Sequence, residues 1–295
     1  MTGGNMTIPY YALDTPVSLP TEEEIAASPE IRPLYTGRRV VQVNTHIVAK
    51  FGINVDLAEG TNMMFVQQNT NIPVPRVYAL YSKAGINYII MQRIPGQSLQ
   101  ELWPQLDAVD KESVVKLLRA YFGELRALEA PCHYGSLGEK PLLDELFWTR
   151  EPDAKINGPF ASTSFFIDAI TRRYEQEIAG DTRLRYKLDF YRQCLPRLLE
   201  GQSPVFTHGD LQGKNIMAQR LCPDAADADA NASSKWRITI LDWQTSGWYP
   251  SSWEYSCTVR ATRWQDDWAV WIEKVLDPYY AVSAWLQDIR LELWS

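Results

Sequence analysis

Three oxygen-bearing side chains, placed where two apolar runs give way to polar loops, hold the chemistry that can be read from this sequence. The run Pro204-Val205-Phe206-Thr207 opens into His208-Gly209-Asp210-Leu211-Gln212-Gly213-Lys214-Asn215, and a second run, Ile238-Thr239-Ile240-Leu241, ends on Asp242-Trp243. An Asp, an Asn five residues later and a further Asp closing a strand are what phosphoryl transfer requires. In such a site one carboxylate accepts the proton of an attacking hydroxyl, while an amide oxygen and the other carboxylate hold Mg²⁺ against nucleotide phosphates. In a loose transition state most of the acceleration comes from alignment and charge neutralisation, so Asp210 need not be a strong base. His208 is expected to bond the loop backbone and hold Asp210 in place without touching substrate.

Rival chemistries fit less well. Gly209, Gly213 and Lys214 imitate a Walker loop, but the spacing is one residue short and Asn215 stands where Ser or Thr is needed. A hydrolase using His208, Asp210 and Asp242 as metal ligands is chemically possible. Yet His46, His133 and His208 are the only imidazoles in the chain. No Gly-x-Ser-x-Gly element supplies a serine nucleophile. The Asp-bearing stretch from Pro223 to Ser234 lacks the Gly and closing Glu of an EF-hand and reads as a mobile hairpin tip.

The elements that must position these groups begin with an extended arm rich in Pro, Gly and Thr. Thr21-Glu22-Glu23-Glu24-Ile25 then reads as a helix start, with Thr as cap and acids in the first turn. Strands are expected over Arg39–Val43 and Thr45–Phe51, with Asn44 in a tight hairpin between them. Lys50 ends the second run, where a strand lysine pairs with nucleotide phosphates and a helix glutamate. The candidate partner is Glu59, which stands three residues after Asp56 and so has an alternative role in a helix cap. With Lys50 at hand the ion pair is favoured. Gly60 would weaken that helix by roughly 1 kcal/mol relative to Ala. Pro73 and Pro75 force an extended entry into a strand through Tyr78, a hairpin around Lys83-Ala84-Gly85 leads to Asn87–Met91, and a lobe boundary is expected at 92–96.

Beyond the boundary the hydrophobic period changes from about two to about 3.6 residues. Asp110 is expected to cap a helix whose buried stripe is Val114, Leu117, Leu118, Tyr121, Phe122, Leu125 and Leu128. Residues 141–160 read as irregular, helices as resuming over 164–178 and 183–199, and the chain from Trp253 as helical, with most of its tryptophans in the core.

At 295 residues the chain is long enough for one large domain or two lobes. Its 45% hydrophobic and 22% charged content is ordinary for a globular protein. A net charge of -7 argues against a general nucleic-acid binder. No basic n-region, membrane-length apolar run or C-x-x-C pair is present, so a cytoplasmic protein with reduced thiols at Cys132, Cys194, Cys222 and Cys257 is expected. The glycosylation patterns at Asn5 and Asn231 are then coincidental.

Together these pieces carry a resemblance. Val48-Ala49-Lys50-Phe51-Gly52, Asn71 to Tyr78, Met91-Gln92-Arg93-Ile94-Pro95-Gly96, His208 to Asn215, Ile240-Leu241-Asp242-Trp243 and Gly247-Trp248-Tyr249-Pro250 look like the aminoglycoside phosphotransferase family, particularly its uncharacterised fungal members. The resemblance implies an α+β, bilobal protein-kinase-like fold. A small antiparallel-sheet N-terminal lobe (1–91) would join a larger, mainly helical C-terminal lobe (97–295) through the hinge at 92–96. ATP or GTP would be co-substrate, with Asp210 as base, Asn215 and Asp242 as Mg²⁺ ligands, and Lys50 on the phosphates with Glu59 as its partner. Hinge residues Met91, Gln92 and Ile94 would meet the purine, Gln92 and Ile94 through main-chain groups. The activity implied is phosphorylation of a hydroxyl on an aminoglycoside-like, choline-like or secondary-metabolite acceptor. The alternative is a pseudokinase that binds nucleotide or a partner. A protein kinase proper fits less well, since no activation segment separates Asp242 from Trp253-Glu254-Tyr255.

Overall fold

The computed structural model describes residues 7–31, 37–179, 181, 184–221 and 235–293. The expected hairpin tip at 223–234, Cys222, Arg183, Trp294, Asn5 and the Asn231 pattern lie outside the described residues. In chain order the elements are β1 (Tyr10–Tyr11), α1 (Glu22–Ala27), β2 (Arg39–Gln42), β3 (Ile47–Gly52), α2 (Ala58–Asn69), β4 (Val77–Lys83), β5 (Ile86–Gln92), β6 (Gln97–Ser98), α3 (Leu99–Leu102), α4 (Ala108–Ala127), α5 (Ala154–Asn157), α6 (Thr163–Glu177), α7 (Arg185–Leu199), β7 (Pro204–Thr207), β8 (Ile216–Arg220), β9 (Trp236–Ile240), β10 (Gly247–Pro250), α8 (Trp253–Ala261), α9 (Trp268–Val275) and α10 (Tyr280–Leu293). No helix among the described residues is long and apolar enough to cross a membrane.

Residues 1–102 and 214–244 form one compact unit, and residues 103–213 and 245–295 a second. The first unit is built on an antiparallel sheet in the order β1-β4-β5-β3-β2. Its turns follow from local chemistry. Asn44 Oδ1 accepts the amides of His46 and Ile47 at 2.8 and 2.9 Å, closing the β2–β3 hairpin. Ala84 and Gly85 both take positive φ between β4 and β5, as a tight primed turn demands. The strand period of two puts Ile47, Ala49 and Phe51 into an apolar cluster with Ile25 of α1, Tyr81, Tyr88 and Ile90. Lys50, of opposite parity, is paired with Ile89 across β5. Phe51, Tyr88, Tyr81 and Tyr11 stack in a row across four strands. Thr21 and Glu24 form the capping box of α1.

Gly60 of α2 lies against β4, where a Cβ would come within 2.2 Å of Leu80 Cδ2. The glycine, read from sequence only as a weakness, permits this close approach of helix to sheet. The remaining strands of the unit form a three-stranded sheet, β6-β8-β9, with Ile216 opposite Ile240.

The second unit is mainly helical, with one two-stranded sheet of β7 and β10. Its core joins Phe147, Phe166, Tyr174, Tyr191, Tyr249, Trp253, Leu286 and Ile289. A buried ion pair ties α10 to the loop before α5: Arg290 Nη2 donates to Asp144 Oδ1 and Oδ2 at 3.0 and 2.7 Å. Two expectations are corrected. Asp107, not Asp110, caps α4, its carboxylate accepting the Asp110 amide at 2.7 Å. Both acids suit a helix start, and Asp107 alone has extended backbone there. The chain after Trp253 is three helices, not one, and in the break before α9 Trp264 stands 71% exposed with positive φ.

Candidate active site

Within the first unit the sheet and α2 bring Lys50, Glu59 and Asp242 together. The Lys50 ammonium is in contact with a Glu59 carboxylate oxygen and donates to Asp242 Oδ1 at 2.9 Å. Lys50 and Glu59 are almost fully buried, at 4% and 2% exposure, whereas the Asp242 side chain keeps 31%. Glu59 is therefore the partner of Lys50; the N-cap of α2 is Leu57, with no side-chain cap bond, and Asp56, one residue before it, accepts the Ala58 amide at 2.8 Å. Burial alone would depress the Lys50 pKa, but Glu59 and Asp242 outweigh it and hold the group above its ordinary value. Glu59 is raised, because burial and the like charge of Asp242 exceed the attraction of Lys50 and of Arg38.

The main chain around Asp242 is unusual. Asp242 has φ of +64°, a conformation costing a non-glycine residue about 1–3 kcal/mol. It is pinned on both sides. Before it, the Leu241 amide donates to the Asn215 carbonyl at 2.8 Å; after it, Asn62 Nδ2 donates to the Trp243 carbonyl at 2.7 Å. The first bond extends the β8–β9 pairing and sets Asn215 and Asp242 at the same end of that hairpin. Asn215 itself is buried at 0% exposure.

At the end of β5, where a hinge was expected, the Gln92 amide donates to the Arg76 carbonyl and the Arg93 amide to the His46 carbonyl, both at 2.8 Å. Gln92 Oε1 also accepts the Arg76 amide at 3.3 Å. The sequence placed a nucleotide contact on Met91, Gln92 and Ile94; internal bonds already engage the first two N–H groups after Met91.

The second unit carries the loop His208 to Gly213, and the chain passes into the first unit at Lys214. His208 is fully buried, and its Nδ1 accepts the Asp210 amide at 3.2 Å. Its carbonyl accepts the hydroxyls of Thr245 at 3.2 Å and Ser246 at 3.1 Å. Gly209 turns the chain with φ of +82°, where a Cβ would meet Thr245 Oγ1 at 2.9 Å. Gln212 Nε2 donates to Asp210 Oδ1.

The loop's main anchor is Glu254 of α8, a residue given no role by the sequence reading. Its Oε2 accepts the His208 amide at 2.7 Å, and both oxygens lie 3.3 Å from the Gly209 amide. Burial pushes the Glu254 carboxyl up, and the Arg126 charge and the His208 and Gly209 amides only partly oppose it. Glu254 carries no motif in the sequence, because it serves main-chain amides; the structure places it in Trp253 to Cys257, a segment with no exposed residue. Asn62 was missed for the same reason, since a polar residue among Thr61, Met63 and Met64 carries no motif.

A family model described as "Phosphotransferase enzyme family" matches residues 58–286. No curated protein matches the chain. Among solved structures it is similar to that of the streptomycin-ATP-APH(2")-IIa ternary complex, with 14% identity, a TM-score of 0.56 and coverage of 94% of this chain and 90% of that one. It is also similar to the ADP-bound aminoglycoside phosphotransferase APH(2'')-Ib, with 16% identity, a TM-score of 0.51 and coverage of 92% and 86%. At such identities the likeness establishes the fold: α+β, with a small antiparallel-sheet lobe and a helical lobe, as in the aminoglycoside phosphotransferases.

Proposed function

We propose, on the premise that this chain belongs to the phosphotransferase enzyme family and is a kinase acting on hydroxyl groups, that it transfers the γ-phosphoryl group of ATP or GTP to a small molecule. The observation that carries this reading is the buried Lys50 ammonium bridging Glu59 and Asp242. A cation held at the end of a strand by a helix carboxylate is a preorganised contact for phosphate oxygens, and burial strengthens it. Nucleotides in two structurally similar proteins, ATP in one and ADP in the other, support the choice of co-substrate.

Asp242 and Asn215 would hold Mg²⁺. Their donors are hard oxygens at one end of the β8–β9 pairing, and this fits the ion's chemistry. Among the described residues no group of three or more His, Cys, Asp or Glu side chains could hold a metal alone. Mg²⁺ is commonly bound by one or two protein groups together with substrate phosphates. When bound, the ion neutralises the charge of the β- and γ-phosphates.

The chain's own groups do the rest. Lys50 orients the phosphates and Glu59 holds Lys50. Because the Gln92 and Arg93 amides are engaged in internal bonds, the purine edge would be met by the Ile94 main chain. Asp210, oriented by Gln212 and by the His208 ring, takes the acceptor's proton. In this reading residues 1–91 cover the nucleotide, 92–96 are the hinge and 97–295 bind the acceptor, an aminoglycoside-like, choline-like or secondary-metabolite alcohol. A cytoplasmic site of action, where free thiols at Cys132, Cys194 and Cys257 persist, belongs to the same reading.

The test is phosphoryl transfer by purified protein with Mg²⁺, labelled ATP or GTP and a panel of hydroxyl compounds. Transfer to at least one is expected, and Asp210→Ala should lower it by about 10²- to 10⁴-fold while nucleotide still binds. Absence of both transfer and slow nucleotide hydrolysis refutes the proposal.

A further inference from the structure

Glu59 and Asn62 lie three residues apart on α2, and both reach the Asp242 turn. Glu59 acts through Lys50 on the Asp242 side chain; Asn62 acts directly on the main chain, donating to the Trp243 carbonyl at 2.7 Å. Asn62 is 1% exposed and Trp243 is fully buried, so the bond is shielded from water. A left-handed conformation at a non-glycine residue persists only where its surroundings over-determine it. At Asp242 those surroundings include the strand bond from Leu241 to Asn215 on one side and, on the other, the Trp243 indole bond to the Ile240 carbonyl and the Asn62 amide. The first belongs to an ordinary strand pairing; Asn62 is a side chain supplied by a different element.

We infer that Asn62 is a positioning residue for Mg²⁺: its amide holds the backbone beyond Asp242 so that the carboxylate keeps the direction needed for the ion. The inference rests on the reading in which Asp242 binds the metal. It gives α2 two separable roles. Through Glu59 it sets the cation that meets phosphate, and through Asn62 it sets the turn that presents the metal ligand. A substitution at 62 should therefore weaken the metal-dependent part of nucleotide binding and leave the Lys50-dependent part in place.

The test uses the full chain, Asn62→Asp and Asn62→Ser. Asp keeps the shape but turns an acceptor toward the Trp243 carbonyl; Ser is smaller and cannot reach it, and provides a second, less disruptive variant. ATP binding is measured by calorimetry across a Mg²⁺ series and again in EDTA, with thermal unfolding recorded alongside. The Mg²⁺ concentration at half-effect should rise by roughly tenfold in both variants, while metal-free ATP affinity stays within about threefold of the parent. Variants that respond to Mg²⁺ like the parent, or that lose metal-free and metal-dependent binding equally, overturn the inference alone. A parent whose ATP affinity ignores Mg²⁺ overturns both the inference and the proposed role of Asp242.

Discussion

Glu254→Gln isolates the anchor of the His208–Gly213 loop. In the parent, Glu254 accepts the His208 amide at 2.7 Å and the Gly209 amide at 3.3 Å, out of contact with water. Hydrogen bonds to a charged acceptor contribute about 1.5–3 kcal/mol each. The isosteric Gln keeps one oxygen and turns an NH₂ toward the other donor, so about one such bond is lost, roughly 2 kcal/mol. Burial of the carboxylate opposes this loss, and pH reveals by how much. A carboxyl whose pKa is raised on folding adds stability that is fully present below its unfolded value and disappears as pH rises through the folded value. For Glu254 that window opens upward from 4.5. Relative to Glu254→Gln, the parent should thus gain stability as pH is lowered toward 4.5. Urea unfolding followed by tryptophan fluorescence at several pH values measures this. With Asp210 as the proposed base, loosening of its loop should also lower kcat by about 10- to 100-fold with little change in nucleotide KM. A variant with parental stability, parental pH slope and parental kcat would show that the carboxylate does not hold the loop.

Three further outcomes are expected. Lys50→Met strands Glu59 in the interior at about 3–5 kcal/mol. Because the folded Glu59 carboxyl is already raised, that deficit should narrow as pH falls toward 4.5 in denaturation curves. Arg290→Met should cost about 3–5 kcal/mol at neutral pH by leaving Asp144 unpaired. Arg290 overcomes the burial of Asp144 and holds its carboxyl low, so the parent's advantage is present above pH 3.8 and lost as pH drops through the lowered value; Asp144→Asn in the Arg290→Met chain should recover part of the loss. Gly60→Ala should destabilise by about 1–3 kcal/mol through contact with Leu80 despite its better helix propensity, and Leu80→Val should relieve it, as read by the urea midpoint.

Features with purely local causes were legible before the fold was known. Asn44 marked the β2–β3 hairpin because its own side chain makes the turn, and Thr21 with Glu24 marked the start of α1 because the cap is reciprocal within four residues. Lys50, Glu59, Asp210, Asn215 and Asp242 could be named because their residue types and spacing are chemically restrictive. Glu254 and Asn62 could not, since each serves main-chain atoms, and any residue at 208, 209 or 243 would present those atoms. Gly60 was misjudged because helix propensity is local, whereas the Leu80 side chain that excludes a methyl group arrives from another element. Asp107 and Asp110 were indistinguishable by type; backbone conformation decides between them.

The shared ammonium at Lys50 has one more consequence. With Asp242 leaning on it, neither charge waits bare in the interior. On the proposed function, an incoming magnesium nucleotide would be admitted by a change of partners, the carboxylate turning to the metal and the ammonium to a phosphate, while Glu59 keeps its grip on Lys50. Docking would then redistribute existing attractions instead of creating charge in a dry place.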